Sequence, residues 1–73
     1  MLRLRQLREE RGLTQLEVAA KIGVDRTTYN KYESGASEPN FDILLKLAHL
    51  FDTSTDYLLG ISDNKKPPES EDD

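Results

Sequence analysis

The segment 14–35 constrains the fold of this chain more than any other part of its sequence. Thr14 and Glu17 have the T-x-x-E spacing of a capping box, in which each side chain satisfies a backbone N–H of the other residue at the start of a helix. Gly23 suits the left-handed turn that ends such a helix, and Asp25 can cap a second one. We therefore predict two short helices joined by a tight turn.

Apolar residues on either side of this pair predict three further helices. A leucine-rich face marks a first helix over about residues 2–11. Asn40 caps a helix with a wide apolar stripe over about residues 41–51, and Ser54 caps a short last helix. Since no stretch alternates apolar and polar residues, we predict an all-α protein, a compact five-helix bundle.

The charge of the chain is unevenly distributed. The net charge is −4, yet the first 35 residues hold seven Lys and Arg side chains against five Asp and Glu side chains. The remaining residues hold three basic and nine acidic side chains. The net charge argues against strong non-specific binding to nucleic acid, but the first half of the chain can still carry a local basic face.

The end of the chain differs in composition from the rest. Aromatic residues stop after Tyr57, and Lys, Pro and acidic residues dominate the last residues. Such a segment buries too little apolar area to offset the entropy that it loses on ordering. We predict a folded domain over residues 1–61 and a disordered acidic tail over residues 62–73, which serves either solubility or competition with phosphates for the basic face.

The helix after Asp25 carries side chains that suit a DNA groove. Tyr29 and Tyr32 are three residues apart and predict its buried side. The other positions hold short polar or basic residues: Arg can bond guanine, Asn can pair with adenine, and Thr can present a methyl group to thymine. Singly, such residues are typical of a solvated surface, but here they accompany the capping box and the turn. We predict base contacts from Arg26, Thr27, Asn30 and Lys31.

Four motifs give the chain a resemblance to a known family. They are Leu7-Arg-Glu-Glu-Arg-Gly-Leu-Thr-Gln15, Lys31-Tyr-Glu-Ser-Gly35, Glu38-Pro39 and Asp56-Tyr-Leu-Leu-Gly60. Over about residues 1–60 the chain resembles the Xre/Cro and phage-repressor type of helix-turn-helix protein. The resemblance implies a lambda-repressor-like DNA-binding domain of five helices whose third helix reads bases.

The resemblance also implies roles for single residues. Gln15 would contact a phosphate and support the recognition helix. Arg26, Thr27 and Lys31 would face base edges, while Thr28 and Ser34 would lie near the sugar-phosphate backbone. Arg8 would pair with Glu33 and tie the first helix to the end of the third. Two independent surface charges are the alternative for that pair.

Three residues depart from the pattern of the family. Leu16 stands where a polar residue is usual, and it is either an isolated apolar residue on the surface or a contact for a partner protein. Ser34 replaces the commoner Asn. Asp52 replaces a usual Gly after the fourth helix, and Asp tolerates a left-handed conformation better than most residues.

The sequence contains no pattern typical of an enzyme, a metal site or a membrane protein. It has no cysteine, and His49 is its only histidine, so metal-ligating side chains do not cluster. Its carboxylates lack a neighbouring base or nucleophile, and its glycines are scattered singly. No apolar run is long enough for a signal peptide or a membrane span. We expect a cytoplasmic protein that has no catalytic residues, metals or cofactors.

These observations predict a sequence-specific transcriptional regulator, most simply a repressor. One recognition helix spans too few base pairs for specificity in a genome, so we expect a homodimer on an inverted repeat in double-stranded DNA. The alternative is a protein-interaction module of the same fold, such as an antitoxin or a target of an anti-repressor, with DNA binding secondary. The predicted dimer surface lies in the region of the fourth and fifth helices, among exposed members of Phe51, Tyr57, Leu58, Leu59 and Ile61. The alternative role of these residues is to close the core of the bundle, which we expect of most of them.

Overall fold

The computed structural model describes residues 2–63, which fold into five α-helices. The helices are α1 (Leu4–Glu10), α2 (Gln15–Ile22), α3 (Arg26–Ser34), α4 (Phe41–Leu50) and α5 (Thr55–Leu58). No strand occurs within residues 2–63, and the predicted all-α five-helix bundle is confirmed. Most of the predicted tail, residues 64–73, lies outside the described residues.

Side-chain caps begin four of these helices, as the sequence predicted. At α2 the Thr14 hydroxyl accepts from the N–H of Glu17 at 3.1 Å, and the Glu17 carboxylate accepts from the N–H of Thr14 at 2.8 Å. Asp25, Asn40 and Ser54 accept in the same way at the starts of α3, α4 and α5. Each cap of this kind stabilises its helix by about 1 kcal/mol.

Left-handed turns follow the helices of the α2–α3 pair. Gly23 (φ +80°) closes α2 and Gly35 (φ +85°) closes α3, conformations that cost free energy for a residue with a Cβ. Asp52 (φ +51°) follows α4, and within residues 2–63 it is the only non-glycine residue with a left-handed backbone conformation. The first helix is shorter than the predicted span of about residues 2–11, and Arg3 at its start provides no side-chain cap.

The core receives large apolar side chains from all parts of the bundle. Burying one such side chain contributes about 2 kcal/mol relative to leaving it in water. The largest fully buried members are Tyr29, Phe51, Leu4, Leu7, Ile22, Leu47, Leu58 and Val18.

The predicted dimer surface is wrong for three of its residues. Phe51, Tyr57 and Leu58 are only 1%, 7% and 0% exposed, so their side chains close the core of the protomer. Because α5 is a single turn packed against α4, its apolar residues point into the bundle. Leu59 and Ile61 come after that turn and are exposed.

Candidate nucleic-acid interface

Two tyrosines anchor the inner side of α3. Tyr29 is fully buried and Tyr32 is nearly so, and their rings pack edge to face with centroids 6.5 Å apart. Such a ring pair contributes about 1 kcal/mol beyond burial alone. The anchors fix the rotation of α3 about its own axis and so determine which residues face outward.

The outer side of α3 presents the predicted base-contact residues together. Thr28 is half-buried beside the cap of the helix, where the Asp25 carboxylate accepts from its N–H at 2.6 Å. Hydrogen bonding to Thr28 lowers the pKa of Asp25, so the cap is ionised. The exposed residues of the helix include Arg26, Thr27, Asn30 and Lys31.

Arg8 and Glu33 form a forked ion pair between α1 and the end of α3. Arg8 Nε donates to Glu33 Oε2 at 2.6 Å, and Nη2 donates to Oε1 at 3.3 Å. Arg8 Nη1 also donates to the carbonyl of Leu13 at 2.9 Å. The two side chains are only 14% and 5% exposed, so removal of either partner would leave a shielded charge unpaired.

The surroundings of Glu33 keep its carboxylate ionised. Burial acts to raise the pKa of this group, but hydrogen bonds from Arg8 and Gln15, together with the neighbouring Tyr29 hydroxyl, lower the pKa below its ordinary value. Burial, followed by the proximity of Glu33, raises the pKa of Tyr29. A negative charge therefore lies on the buried side of α3, near the end of the helix, with a neutral phenol beside it.

Gln15 connects this ion pair to the outer side of α3. Its Nε2 donates to Glu33 Oε1 and to Asn30 Oδ1, each at 3.1 Å. The two bonds use both hydrogens of the amide, so a phosphate contact through this group requires one of them to open. The resemblance implied that Gln15 supports the helix, but no feature of the sequence indicates that Asn30 is its second partner.

Ser34 lies at the exposed end of α3. Its hydroxyl donates to the carbonyl of Lys31 at 3.2 Å and accepts from the N–H of Ala36 at 3.3 Å. The hydroxyl thus helps to close the helix and keeps one lone pair free. Its contact with a nucleic-acid backbone stays a prediction.

Two further residues from the sequence lie outside this surface. Leu16 is 61% exposed near the start of α2, and His49 is exposed on α4. Within residues 2–63, no three His, Cys, Asp or Glu side chains are grouped so that they could hold a metal ion. No helix in the same range is both long and apolar enough to cross a membrane.

The model of the helix-turn-helix family matches residues 4–58 of the chain. This match spans α1 to α5, so the chain belongs to the helix-turn-helix family. The predicted membership in this class of protein is confirmed.

Relatives of the chain include several proteins named as regulators. It is 45% identical over 65 residues to the uncharacterized HTH-type transcriptional regulator YobD of Bacillus subtilis (strain 168), covering 89% of this chain and 58% of YobD. It is 39% identical over 69 residues to the HTH-type transcriptional regulator ImmR of the same organism, covering 94% and 54%. The cryptic phage CTXphi transcriptional repressor RstR of Vibrio cholerae serotype O1 (strain ATCC 39315 / El Tor Inaba N16961) is 40% identical over 58 residues, covering 80% and 52%. The chain spans about half the length of these relatives.

A solved structure similar to this one is the P22 c2 repressor protein in complex with a synthetic operator. The TM-score is 0.77 and the sequence identity is 30%, with 82% of this chain and 91% of that chain covered. This likeness confirms the lambda-repressor-like fold that the motifs implied.

Proposed function

We propose that the chain is the DNA-binding part of a sequence-specific transcriptional regulator whose α3 helix enters the major groove. The observation that carries the proposal is the exposed polar and basic side of α3, which Tyr29 and Tyr32 hold outward from its inner side. Relatives named as regulators and repressors support it, and so does a similar repressor whose structure contains an operator.

The contacts divide into those that read bases and those that position the helix. Arg26 and Lys31 donate to guanine edges, and the methyl group of Thr27 packs on thymine. Thr28, Ser34 and the first backbone N–H groups of α2 approach phosphates, which fixes register but carries no sequence information.

The regulator acts as a homodimer on an inverted repeat and represses by occupying a promoter. Two copies of α3 are needed because one helix reads too few base pairs for genomic specificity. Leu59 and Ile61 are 43% and 72% exposed after α5 and supply apolar area for the dimer. The protein works in the cytoplasm, without a cofactor and without catalysis.

Exposed apolar side chains elsewhere favour a second function, which is binding to a partner protein with DNA secondary. Leu16 lies on α2, and Phe41 and Leu45 lie one turn apart on α4; their exposures are 61%, 70% and 45%. Large apolar residues of this kind, when they form a patch, mark protein contacts.

The dependence of DNA affinity on salt separates the two functions. Fluorescence anisotropy with a random-sequence duplex should show log affinity falling linearly with log salt, by a slope of about 0.9 per phosphate contact. Lys31→Ala removes a positive charge from the exposed side of α3 and should weaken binding, whereas Lys46→Ala on the exposed side of α4 should leave the affinity unchanged. A module that binds only a partner protein would bind no DNA even at low salt.

A further inference from the structure

The hydroxyl of Tyr29 is a buried polar group without a partner. The side chain is fully buried, and within residues 2–63 no atom shares a hydrogen bond with its oxygen. A buried hydroxyl of this kind lowers stability, because it has given up its hydrogen bonds to water. Phenylalanine would fill the same place without that cost, so the hydroxyl indicates a role that the DNA-free protein does not show.

The Glu33 carboxylate lies one helical turn from Tyr29 on the same side of α3. Burial acts to raise the pKa of Glu33, whereas Arg8 and then the Tyr29 hydroxyl lower it, so the hydroxyl and the carboxylate are neighbours. A carboxylate offers about four acceptor positions. Arg8 Nε, Arg8 Nη2 and Gln15 Nε2 already donate to Glu33, which leaves room for one further donor.

Gln15 is the donor to Glu33 that binding to DNA would remove. The predicted phosphate contact requires a hydrogen of Gln15 Nε2, and both hydrogens are bonded to protein oxygens. A phosphate on this nitrogen would lie within about 6 Å of the Glu33 carboxylate if Gln15 kept both, since each hydrogen bond spans about 3 Å. Like charges at that distance repel, which favours release of Glu33. The Glu33 side chain is only 5% exposed, so water cannot readily replace the lost donor.

We propose that Tyr29 is a positioning residue whose hydroxyl donates to Glu33 when Gln15 turns from the carboxylate to DNA. The carboxylate then keeps its number of hydrogen bonds, and the hydroxyl gains the bond that it lacks in the DNA-free protein. This exchange lowers the cost of releasing Gln15, while Arg8 stays paired with Glu33. The proposal rests on the proposed function and on the predicted contact of Gln15.

A cycle of substitutions in the DNA-free protein tests the exchange, because Gln15→Ala imitates the release of Gln15. Urea titration should show a small effect of Gln15→Ala while the Tyr29 hydroxyl is present to replace the lost donor. In a Tyr29→Phe background, Gln15→Ala should favour unfolding by about fivefold more, which corresponds to one hydrogen bond of about 1 kcal/mol. Tyr29→Phe alone should not lower the urea midpoint, since it removes an unbonded hydroxyl.

A second cycle measures the affinity for DNA, first with random-sequence duplexes and then with single-base variants of a selected site. Tyr29→Phe should weaken binding to all of them by about fivefold and relax the preference at no base pair, because releasing Gln15 costs more. The same substitution should have no effect in a Gln15→Ala background, where nothing is released. Tyr32→Phe changes the other inward-facing tyrosine of α3 and should leave the affinity unchanged.

Three results would contradict the proposal. A lower urea midpoint for Tyr29→Phe would mean that the hydroxyl is already bonded in the DNA-free protein. Additive effects of Gln15→Ala and Tyr29→Phe on unfolding would mean that the hydroxyl does not replace Gln15. Unchanged DNA affinity of Tyr29→Phe would mean that Gln15 keeps its bond to Glu33 on DNA. Absence of DNA binding by the unchanged protein would overturn the proposed function, while the first cycle would still decide the role of the Tyr29 hydroxyl.

Discussion

The α2–α3 pair and the α4–α5 pair begin with the same kind of cap but present different surfaces. Each helix of the first pair ends at a glycine in the left-handed conformation, and the pair exposes a polar, basic side. Gln15 on this side donates a hydrogen bond to the ionised Glu33 carboxylate. The second pair leaves Phe41, Leu45 and, just beyond α5, Ile61 exposed. Polar side chains that are fixed by hydrogen bonds suit a nucleic acid, whose phosphates are charged and whose base edges differ in donors and acceptors. Exposed apolar side chains suit contact with a protein surface.

The two pairs also depend on different forces. The outer side of α3 is positioned by a partly buried network in which each hydrogen bond fixes the next, so its members act together. The α4–α5 region is positioned by apolar packing of Phe51 and Leu58, which is insensitive to the direction of any single bond. Substitutions in the two regions should therefore fail in different ways.

The largest expected effect is on the packing of the α4–α5 region. Phe51→Ala should lower the free energy of unfolding by about 4 kcal/mol, because it removes a buried ring and leaves a cavity. Phe41→Ala removes an exposed ring and should change stability by less than about 0.5 kcal/mol. Urea titration measures both variants, and equal losses would contradict the core position of Phe51.

The Arg8–Glu33 ion pair, which joins α1 to the end of α3, should give the next largest effect on the free energy of unfolding. Glu33→Ala should cost about 3 kcal/mol in urea titration, because it leaves the Arg8 charge shielded and unpaired. Glu9→Ala breaks the exposed Arg5–Glu9 pair, whose atoms are 3.2 Å apart, and should cost under about 0.5 kcal/mol. A loss at Glu33 as small as the loss at Glu9 would place the Arg8–Glu33 pair in solvent.

The same carboxylate should make stability depend on pH. The folded-state pKa of Glu33 is lowered, so its contribution is fully present above the unfolded pKa and is lost as pH falls through the folded value. The stability gap between the unchanged protein and Glu33→Gln should narrow on acidification from neutral pH. The gap for Glu9→Gln serves as the control, and a Glu33 gap that does not change with pH would argue against the ionised state of this residue.

Loss of one base contact from α3 should have a moderate effect on the affinity for DNA. Arg26→Ala should cost about 2 kcal/mol on a selected site and relax preference at one base pair, as loss of a bidentate base contact does. Lys46→Ala, which removes a positive charge from α4, should leave the preference unchanged. Equal weakening on every sequence would instead make Arg26 a phosphate contact.

The smallest expected effect concerns the apolar surface after α5. Ile61→Glu should weaken self-association about tenfold in sedimentation experiments, equivalent to about 1.4 kcal/mol. Leu16→Glu adds the same charge at another exposed apolar position and should leave self-association unchanged. Dissociation by Leu16→Glu but not by Ile61→Glu would move the dimer surface from the end of α5 to α2.

The contrast between the two pairs also explains what the sequence could predict. Caps at Thr14 and Asp25 are local, since donor and acceptor lie three residues apart, and they could be read directly. The exposure of Tyr57 and Leu58 depends on which side of a one-turn helix meets α4, which periodicity cannot determine over four residues. The Arg8–Glu33 pair was predicted from the resemblance to the Xre/Cro and phage-repressor family, not from local sequence patterns.

The Gln15–Asn30 bond shows a second limit of sequence reasoning. It joins two helices, and the direction of its hydrogen bond depends on the ionisation of a third residue, Glu33. Amide groups present a donor and an acceptor of almost equal size, so residue type alone does not indicate which one faces outward. The orientation required the positions of all three side chains.

Selection from a random DNA pool tests the central claim, that the outer side of α3 reads sequence, most directly. The unchanged protein should enrich two inverted half-sites with centres about 10 base pairs apart. A variant with Arg26, Thr27 and Lys31 all changed to Ala should keep its fold by circular dichroism and lose the enriched motif. No enrichment by the unchanged protein, or the same motif selected by the triple variant, would contradict the claim.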